Sequence, residues 1–243
     1  SKVIIKKEEK VVLKEQVKVV EEKKDVTEVI KEAKSVIIVP GYGMAIAQAQ
    51  HLVKKLEDWL KGNGATVKYA IHPVAGRMPG HMNVLLCEAD VDYEDLYEMD
   101  DVNPEFETTD LTIVVGANDV LNPAARNAEG TPIYGMPILD VDKCKNVIIF
   151  NYDLKPGYAG VDNPLYQREN GVLVINADNE LTNACKNEAN GRVIMFSSTQ
   201  KLEKGYIVEE GIIKKCEEGI RRHILNTTDL KLKGTHNFQN VCT

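Results

Sequence analysis

Glycines at positions 41 and 43, an arginine at 77, an aspartate at 119 and a second glycine pair at 157 and 160 are the residues of this chain best suited to hold a phosphorylated ligand. Gly41-Tyr42-Gly43 follows the β-branched run Val36–Val39 and precedes Met44-Ala45-Ile46, where an Ala/Gln/Leu-rich stretch begins. A strand, a tight glycine turn and a helix start, in that order, bring backbone close to a phosphate and offer it N–H groups and partial positive charge. Ile46 stands where a dinucleotide fingerprint often has its third glycine, so the motif is a shortened one. In isolation it reads equally as any tight strand-to-helix turn. The well-formed strand and helix around it favour phosphate, and the ligand expected is a dinucleotide.

The second strand, Thr66–Ile71, ends in Ile71-His72-Pro73 without the acid that ordinarily holds a ribose. Either the ligand is phosphorylated at that position or it lies in another orientation. Arg77 is the nearest fixed charge. It sits in His72-Pro73-Val74-Ala75-Gly76-Arg77, which runs on to His81 and Asn83; two prolines and two glycines fix the path of that loop. Each histidine alone reads better as a satisfied structural residue, whereas the whole loop reads as a site. Gly116-Ala117-Asn118-Asp119 ends the strand Leu111–Val115. Asp119 and Asn122 either cap the following helix or, for Asp119, face a nicotinamide in the cleft. Asn151-Tyr152-Asp153-Leu154-Lys155 follows the strand Val147–Phe150 and leads to Gly157-Tyr158-Ala159-Gly160, a lid or a surface loop with Tyr158 packed inward. The sequence carries no metal-ligand spacing, no Ser-His-Asp motif and no Walker loop. Hydride transfer, which needs placement and exclusion of water rather than a protein nucleophile, fits that inventory.

The elements that must position these residues alternate. Strands rich in Val and Ile, separated by helices, predict an α/β fold: a Rossmann-like, doubly wound parallel sheet with helices on both faces. Helices are expected to Lys34 from a cap at Asp25 or Thr27, over Met44–Lys61, over Met82–Ala89 and over Val208–Leu225. Tyr93–Tyr97 reads as strand or turn, Val172–Ile175 as the last strand of the sheet and Val193–Phe196 as an extra one. Three regions result: a charged N-terminal linker over 1–26, a nucleotide-binding domain over 27–189, and a C-terminal extension or inter-domain linker over 190–243.

At 243 residues and 43% hydrophobic, the chain can bury a sizeable core. A net charge of −7 argues against a nucleic-acid partner. No apolar run reaches the ~20 residues needed to cross a bilayer, so a soluble chain without direct bilayer insertion is expected. Five scattered cysteines suit a reducing compartment, with Cys87 and Cys144 reading as small core residues.

Pro40–Gln50, Ala70–Leu86, Gly116–Ala125, Gly135-Met136-Pro137 and Gly157–Pro164 together resemble the NADP(H)-binding third domain of proton-translocating nicotinamide nucleotide transhydrogenase, in the right order from about Thr27 to Ala184. The resemblance implies direct hydride exchange between NADP(H) on this domain and NAD(H) on a partner domain, coupled to proton movement through a membrane domain of the same enzyme. It implies a flipped nucleotide, which accounts for the missing acid. It implies that Gly41–Ala45 cradle the pyrophosphate and that the His72–Asn83 loop lines the nucleotide. Asp119 would take part in coupling near the nicotinamide, Asn127–Pro137 would form a mobile loop, and Gly157–Gly160 would close over the ligand. Two segments depart from the family. Its Lys-Arg-Ser, which grips the 2′-phosphate, is here Asn151-Tyr152-Asp153, with Lys155 nearby; its Gly-Asp-Ala-Lys is here Asn176-Ala177-Asp178-Asn179. Losing two cations and gaining an anion makes NAD(H) the alternative cofactor. A non-catalytic nucleotide-binding or sensing module is the alternative function.

Overall fold

The computed structural model describes residues 26–151, 155–168, 171–178, 192–217 and 219–229. The expected linker before residue 26, apart from that residue, and the tail beyond residue 229 lie outside them, as do Tyr152, Asp153, Cys185 and Cys242.

Among the described residues ten strands form one sheet: β1 (Ser35–Pro40), β2 (Thr66–Ile71), β3 (Leu96–Glu98), β4 (Leu111–Val115), β5 (Val147–Phe150), β6 (Gly171–Asn176), β7 (Arg192–Ser197), β8 (Gly205–Glu209), β9 (Ile212–Glu217) and β10 (Ile220–Asn226). Their spatial order is β3-β2-β1-β4-β5-β6-β7-β8-β9-β10. Pairs from β3 through to β8 are parallel, whereas β8-β9-β10 form an antiparallel meander. The α/β, Rossmann-like fold class is as expected, and the sheet is mostly rather than wholly parallel.

The central strands are apolar without alternation because both faces are covered. In β1, Val36 and Ile38 enter one core and Ile37 and Val39 the other. On the first face lie α1 (Val26–Glu32), α2 (Tyr42–Ile46), α3 (Gln50–Gly62) and α4 (His81–Glu88), which contribute Met44, Val53, Leu60, Met82 and Leu86. The second face is covered by α5 (Met99–Val102), by Phe106 just after a 3₁₀ turn, and by short 3₁₀ turns carrying Leu121, Val141 and Leu165. A small third core joins Ala125, Ile133 and Ile138 to Met136 and Ala159.

Three expectations are corrected. First, the helix expected over Met44–Lys61 is two helices. The amide of Ala49 reaches the Met44 carbonyl at 3.0 Å and that of Gln48 reaches Ala45 at 3.2 Å, with Gln48 at φ +50°. That is a Schellman stop, built here without glycine. Second, Val172–Ile175 is not the last strand, and Val208–Leu225 is not a helix. It spans two and a half strands: Glu210-Gly211, both at positive φ, make the two-residue reversal between β8 and β9. The expected extension 190–243 therefore adds β7–β10 to the same sheet. The outer strand β10 breaks register with β9 between His223 and Leu225. Third, Cys87 is exposed while Cys144 is buried. Among the described residues no helix is long and apolar enough to cross a membrane, and no group of His, Cys, Asp and Glu could hold a metal.

Candidate functional site

The chain leaves β1 toward β2 on one side and later returns to β4 on the other. Past their first residues the segments after β1 and β4 run to opposite faces of the sheet, which opens a crevice at its carboxyl edge. A cleft of about 930 Å³ lies there, at the upper end of the range for small-molecule sites. Its walls are Gly41–Gly43 after β1, Val74–Arg77 after β2, Gly116–Val120 after β4 and Gly157–Ala159 from the loop beyond β5. Pro132, Ile133 and Met136 complete it.

The floor is an interlock of glycines. The Gly43 amide donates to the Gly116 carbonyl and the Gly41 amide to the Val115 carbonyl, both at 2.9 Å. A Cβ on Gly41 would stand 2.2 Å from the Gly116 oxygen, and one on Gly43 2.7 Å from Gly116 Cα. Gly116 itself sits at φ +67°, a conformation other residues rarely adopt. These glycines are therefore needed first to let two loops of the chain meet. The expected free cradle of amides is altered accordingly. Gly41, Gly43 and Met44 (which donates to the Gly41 carbonyl at 3.1 Å) spend their N–H groups inside the chain. A helix of five residues also carries less dipole than the long one expected.

Arg77 is the one cation, and Asp119 the one carboxylate, among the described residues of the wall. The Arg77 guanidinium lies 4.3 Å above the Tyr42 ring, a cation–π contact that holds it at the mouth. Asp119 does not cap a helix. Its Oδ2 accepts the Ala159 amide at 3.0 Å. Its Oδ1 is buried and, among the described residues, has no hydrogen-bond partner. Gly157 is glycine because a Cβ there would stand 2.4 Å from that oxygen. Asn122 does cap: its side chain accepts the Ala124 amide at 3.0 Å while its Nδ2 holds the Val161 and Asp162 carbonyls. Asn118 Nδ2 donates to the Lys155 carbonyl at 3.0 Å, and Asn163 Nδ2 to Asn118 Oδ1 at 3.1 Å. Amide side chains thus stitch the 155–163 loop over the end of β4. Tyr158 is fully exposed at its tip, not packed inward.

Other expected residues stand back from the wall. Met44 is buried in the first core, and Ala45 packs against it. His72 is buried, with Nε2 2.8 Å from the Pro137 carbonyl and Nδ1 accepting the Val74 amide at 3.3 Å. Burial lowers its pKa, against a smaller opposing effect of the bond to Pro137. Asn151 Nδ2 donates to Tyr166 Oη at 2.6 Å and to the Ala117 carbonyl at 3.2 Å, so its amide is committed to the scaffold. Asn176 ends β6, Ala177 and Asp178 follow it, and none of the three lines the cleft. Asp178 binds the side chains of Ser197, Ser198 and Thr199. Burial raises its pKa, but those bonds prevail and hold it well below the usual carboxylate range. Ala117, Val120, Pro132, Ile133 and Met136 were not expected from their chemistry. The signal they had was their segment: Ala117 and Val120 fall in the resembling stretch Gly116–Ala125, and Pro132, Ile133 and Met136 in the loop Asn127–Pro137.

A family model described as NAD(P) transhydrogenase beta subunit matches residues 3–187. The beta subunit of NAD(P) transhydrogenase from Rhodospirillum rubrum is 52% identical over 158 residues, 65% of this chain and 34% of that protein. The chain therefore spans about a third of the length of this curated relative. A shorter similarity, 40% identity over 78 residues, joins 31% of the chain to 16% of UDP-N-acetylmuramoylalanine–D-glutamate ligase from Clostridium tetani. The family model covers most of the sequence and the cleft walls fall within its span, so the chain belongs to the NAD(P) transhydrogenase beta subunit family.

Proposed function

We propose that this chain is the nucleotide-binding part of a transhydrogenase, holding NADP(H) in the cleft between β1 and β4 for direct hydride exchange with NAD(H) on a partner domain, coupled to proton translocation by a membrane domain. The observation that carries the reading is the placement of Asp119, the one carboxylate among the described residues of the cleft wall, with an Oδ1 that has no hydrogen-bond partner among those residues. A carboxylate oxygen kept from water without a donor is costly, and a carboxamide N–H of a nicotinamide is a donor of the right kind. The glycine floor admits a flat ligand against backbone, and Arg77 supplies the charge that meets phosphate.

A bound nicotinamide dinucleotide supplies the hydride; the chain's own work is placement. Asp119 orients the ring end, Gly157–Ala159 cover it, and the apolar edges of Ile133 and Met136 keep water away. No protein nucleophile or base is needed. The isolated chain is expected to bind nucleotide without turnover.

Titration of the chain with NADPH and with NADH tests this. Tight NADPH binding with weaker NADH supports the main assignment. The reverse order assigns the site to NAD(H), in keeping with the scaffold role of Asn151. Binding of neither removes the nucleotide reading in favour of a non-catalytic module. Hydride exchange upon addition of a purified NAD(H)-binding domain then separates a transhydrogenase component from a binder.

A further inference from the structure

His72 stands just behind the cleft and touches two of its walls at once. Its position follows from β2, whose last residue is Ile71; the chain turns immediately, with the Ala75 amide on the His72 carbonyl at 3.0 Å. Within that turn Nδ1 accepts the Val74 amide, so the proton resides on Nε2, which donates to the Pro137 carbonyl. Val74–Arg77 form one wall, and Pro132, Ile133 and Met136, just ahead of Pro137, form part of another.

The second wall belongs to the small core of Ala125, Ile133 and Ile138, distinct from the two main ones. Beyond its apolar packing on Ala124, Ala159 and Val161, its other hydrogen bonds to the described residues are few. The Gly135 amide closes onto Ala125 at 2.8 Å within the segment, the Leu139 amide donates to Val120 at 2.9 Å, and Asn103 Nδ2 donates to the Ile138 carbonyl at 3.0 Å. Of these, none joins the Val74–Arg77 turn. His72 does, 65 residues away in sequence from its acceptor.

We propose that His72 is a positioning residue for the nucleotide: its Nε2, bonded to the Pro137 carbonyl, ties the turn Val74–Arg77 that follows it in the chain to the segment Pro132–Pro137, so that both walls of the cleft keep one fixed separation, while Nδ1 on the Val74 amide sets the tautomer. The proposal deepens the nucleotide reading above and rests on it for its binding arm. It differs from a filling role because both nitrogens are engaged, each toward a different wall, and because the ring is held in one tautomer by the donor on one side and the acceptor on the other.

Two substitutions separate the two bonds. His72→Asn keeps an acceptor close to the Val74 amide and is too short to reach Pro137. His72→Gln carries an amide N–H out toward Pro137 and gives up the local acceptor. The expected result is that His72→Asn weakens NADPH binding at least fivefold and speeds amide exchange at Gly135, Met136 and Leu139 at least tenfold, whereas His72→Gln stays within twofold of the parent in both. Equal affinity and unchanged exchange in both folded variants overturn the proposal, as does an equal loss in both that tracks thermal stability alone. Should the Asn variant not fold, His72→Gln decides: lost affinity at unchanged stability overturns it. If the parent binds neither NADPH nor NADH, the nucleotide reading fails. The exchange comparison, made without ligand, then still decides whether His72 joins the walls.

Discussion

Replacing Gly41 by alanine isolates the contact on which the cleft floor depends. Gly41 has φ −129° and ψ −176°, extended backbone open to any residue, so alanine adds no torsional strain. It adds one methyl group, and that group would lie 2.2 Å from the Gly116 oxygen and 2.4 Å from Ala117 Cα. Ordinary contact begins at 3.4 Å, so the loops after β1 and β4 must part by about 1 Å. The obstacle is backbone on both sides and cannot rotate away. Overpacking of this kind costs typically 1–3 kcal/mol, and the upper end applies here, about 3 kcal/mol. In a chain of this length that lowers Tm by about 6–12 °C. The same displacement stretches the Gly43–Gly116 bond and widens the cleft, so NADPH binding should weaken by about tenfold or more, the equivalent of about 1.4 kcal/mol. Gly62→Ala is the control. It closes α3, has nothing within 4 Å of its new methyl, and should gain about 0.5–1 kcal/mol from the unfolded chain's lost freedom. Calorimetry with isothermal titration reads both quantities. A Gly41→Ala protein with Tm within a degree of the parent and undiminished affinity would refute the idea that these loops meet through glycine.

Asp119→Asn should leave stability nearly unchanged, since the amide oxygen can still accept the Ala159 N–H, while NADPH affinity falls about five- to thirtyfold through loss of a charge-assisted bond; unchanged affinity places the carboxamide elsewhere. His72, lowered from 6.5 by burial, contributes stability that is full above its unfolded value and is lost as pH falls through the folded one. The urea midpoint of the parent should therefore drop as pH falls below about 7.5, and drop less in His72→Gln; Asp110, Asp140, Asp178 and Glu209, all lowered, begin to act only at about pH 5 and below. Tyr69→Phe removes the hydroxyl that donates to the fully buried Glu57 at 2.9 Å, leaving Lys61 at 2.7 Å as its main partner. It should cost about 1–3 kcal/mol in urea unfolding, and a cost near zero would mean water replaces the hydroxyl.

The strands β1, β2, β4 and β5 were legible almost to the residue. Branched apolar runs buried on both faces admit few other readings, and the glycine turn, Arg77 and Asp119 stood out by chemistry. The partner of the glycines was not legible, because nothing local says that Gly41 meets Gly116. Nor was the break after Ile46: Gln48 adopts the left-handed turn that usually takes glycine, so the amphipathic pattern runs on through it. The meander was hidden by charge. Ile212–Glu217 and Ile220–Asn226 carry enough Lys, Arg and Glu to imitate a solvated helix, although Glu210-Gly211 marks the reversal. Apolar wall residues such as Ile133 carry no chemistry of their own and became visible only when the loop brought them to the cleft.

An open sheet this wide presents a bare rim of amides and carbonyls, which in general invites another strand to add to it. Among the described residues the sheet has two rims, β3 and β10; at β10 the irregularity near His223, together with Arg221 and Arg222, gives an incoming strand neither a straight ladder nor a neutral surface. At ~4.8 Å per strand, that rim also lies some seven strands from the β1 end of the cleft. Fibre growth is thereby discouraged at that rim, and any misassembly that did begin there would leave the distant ligand crevice unblocked.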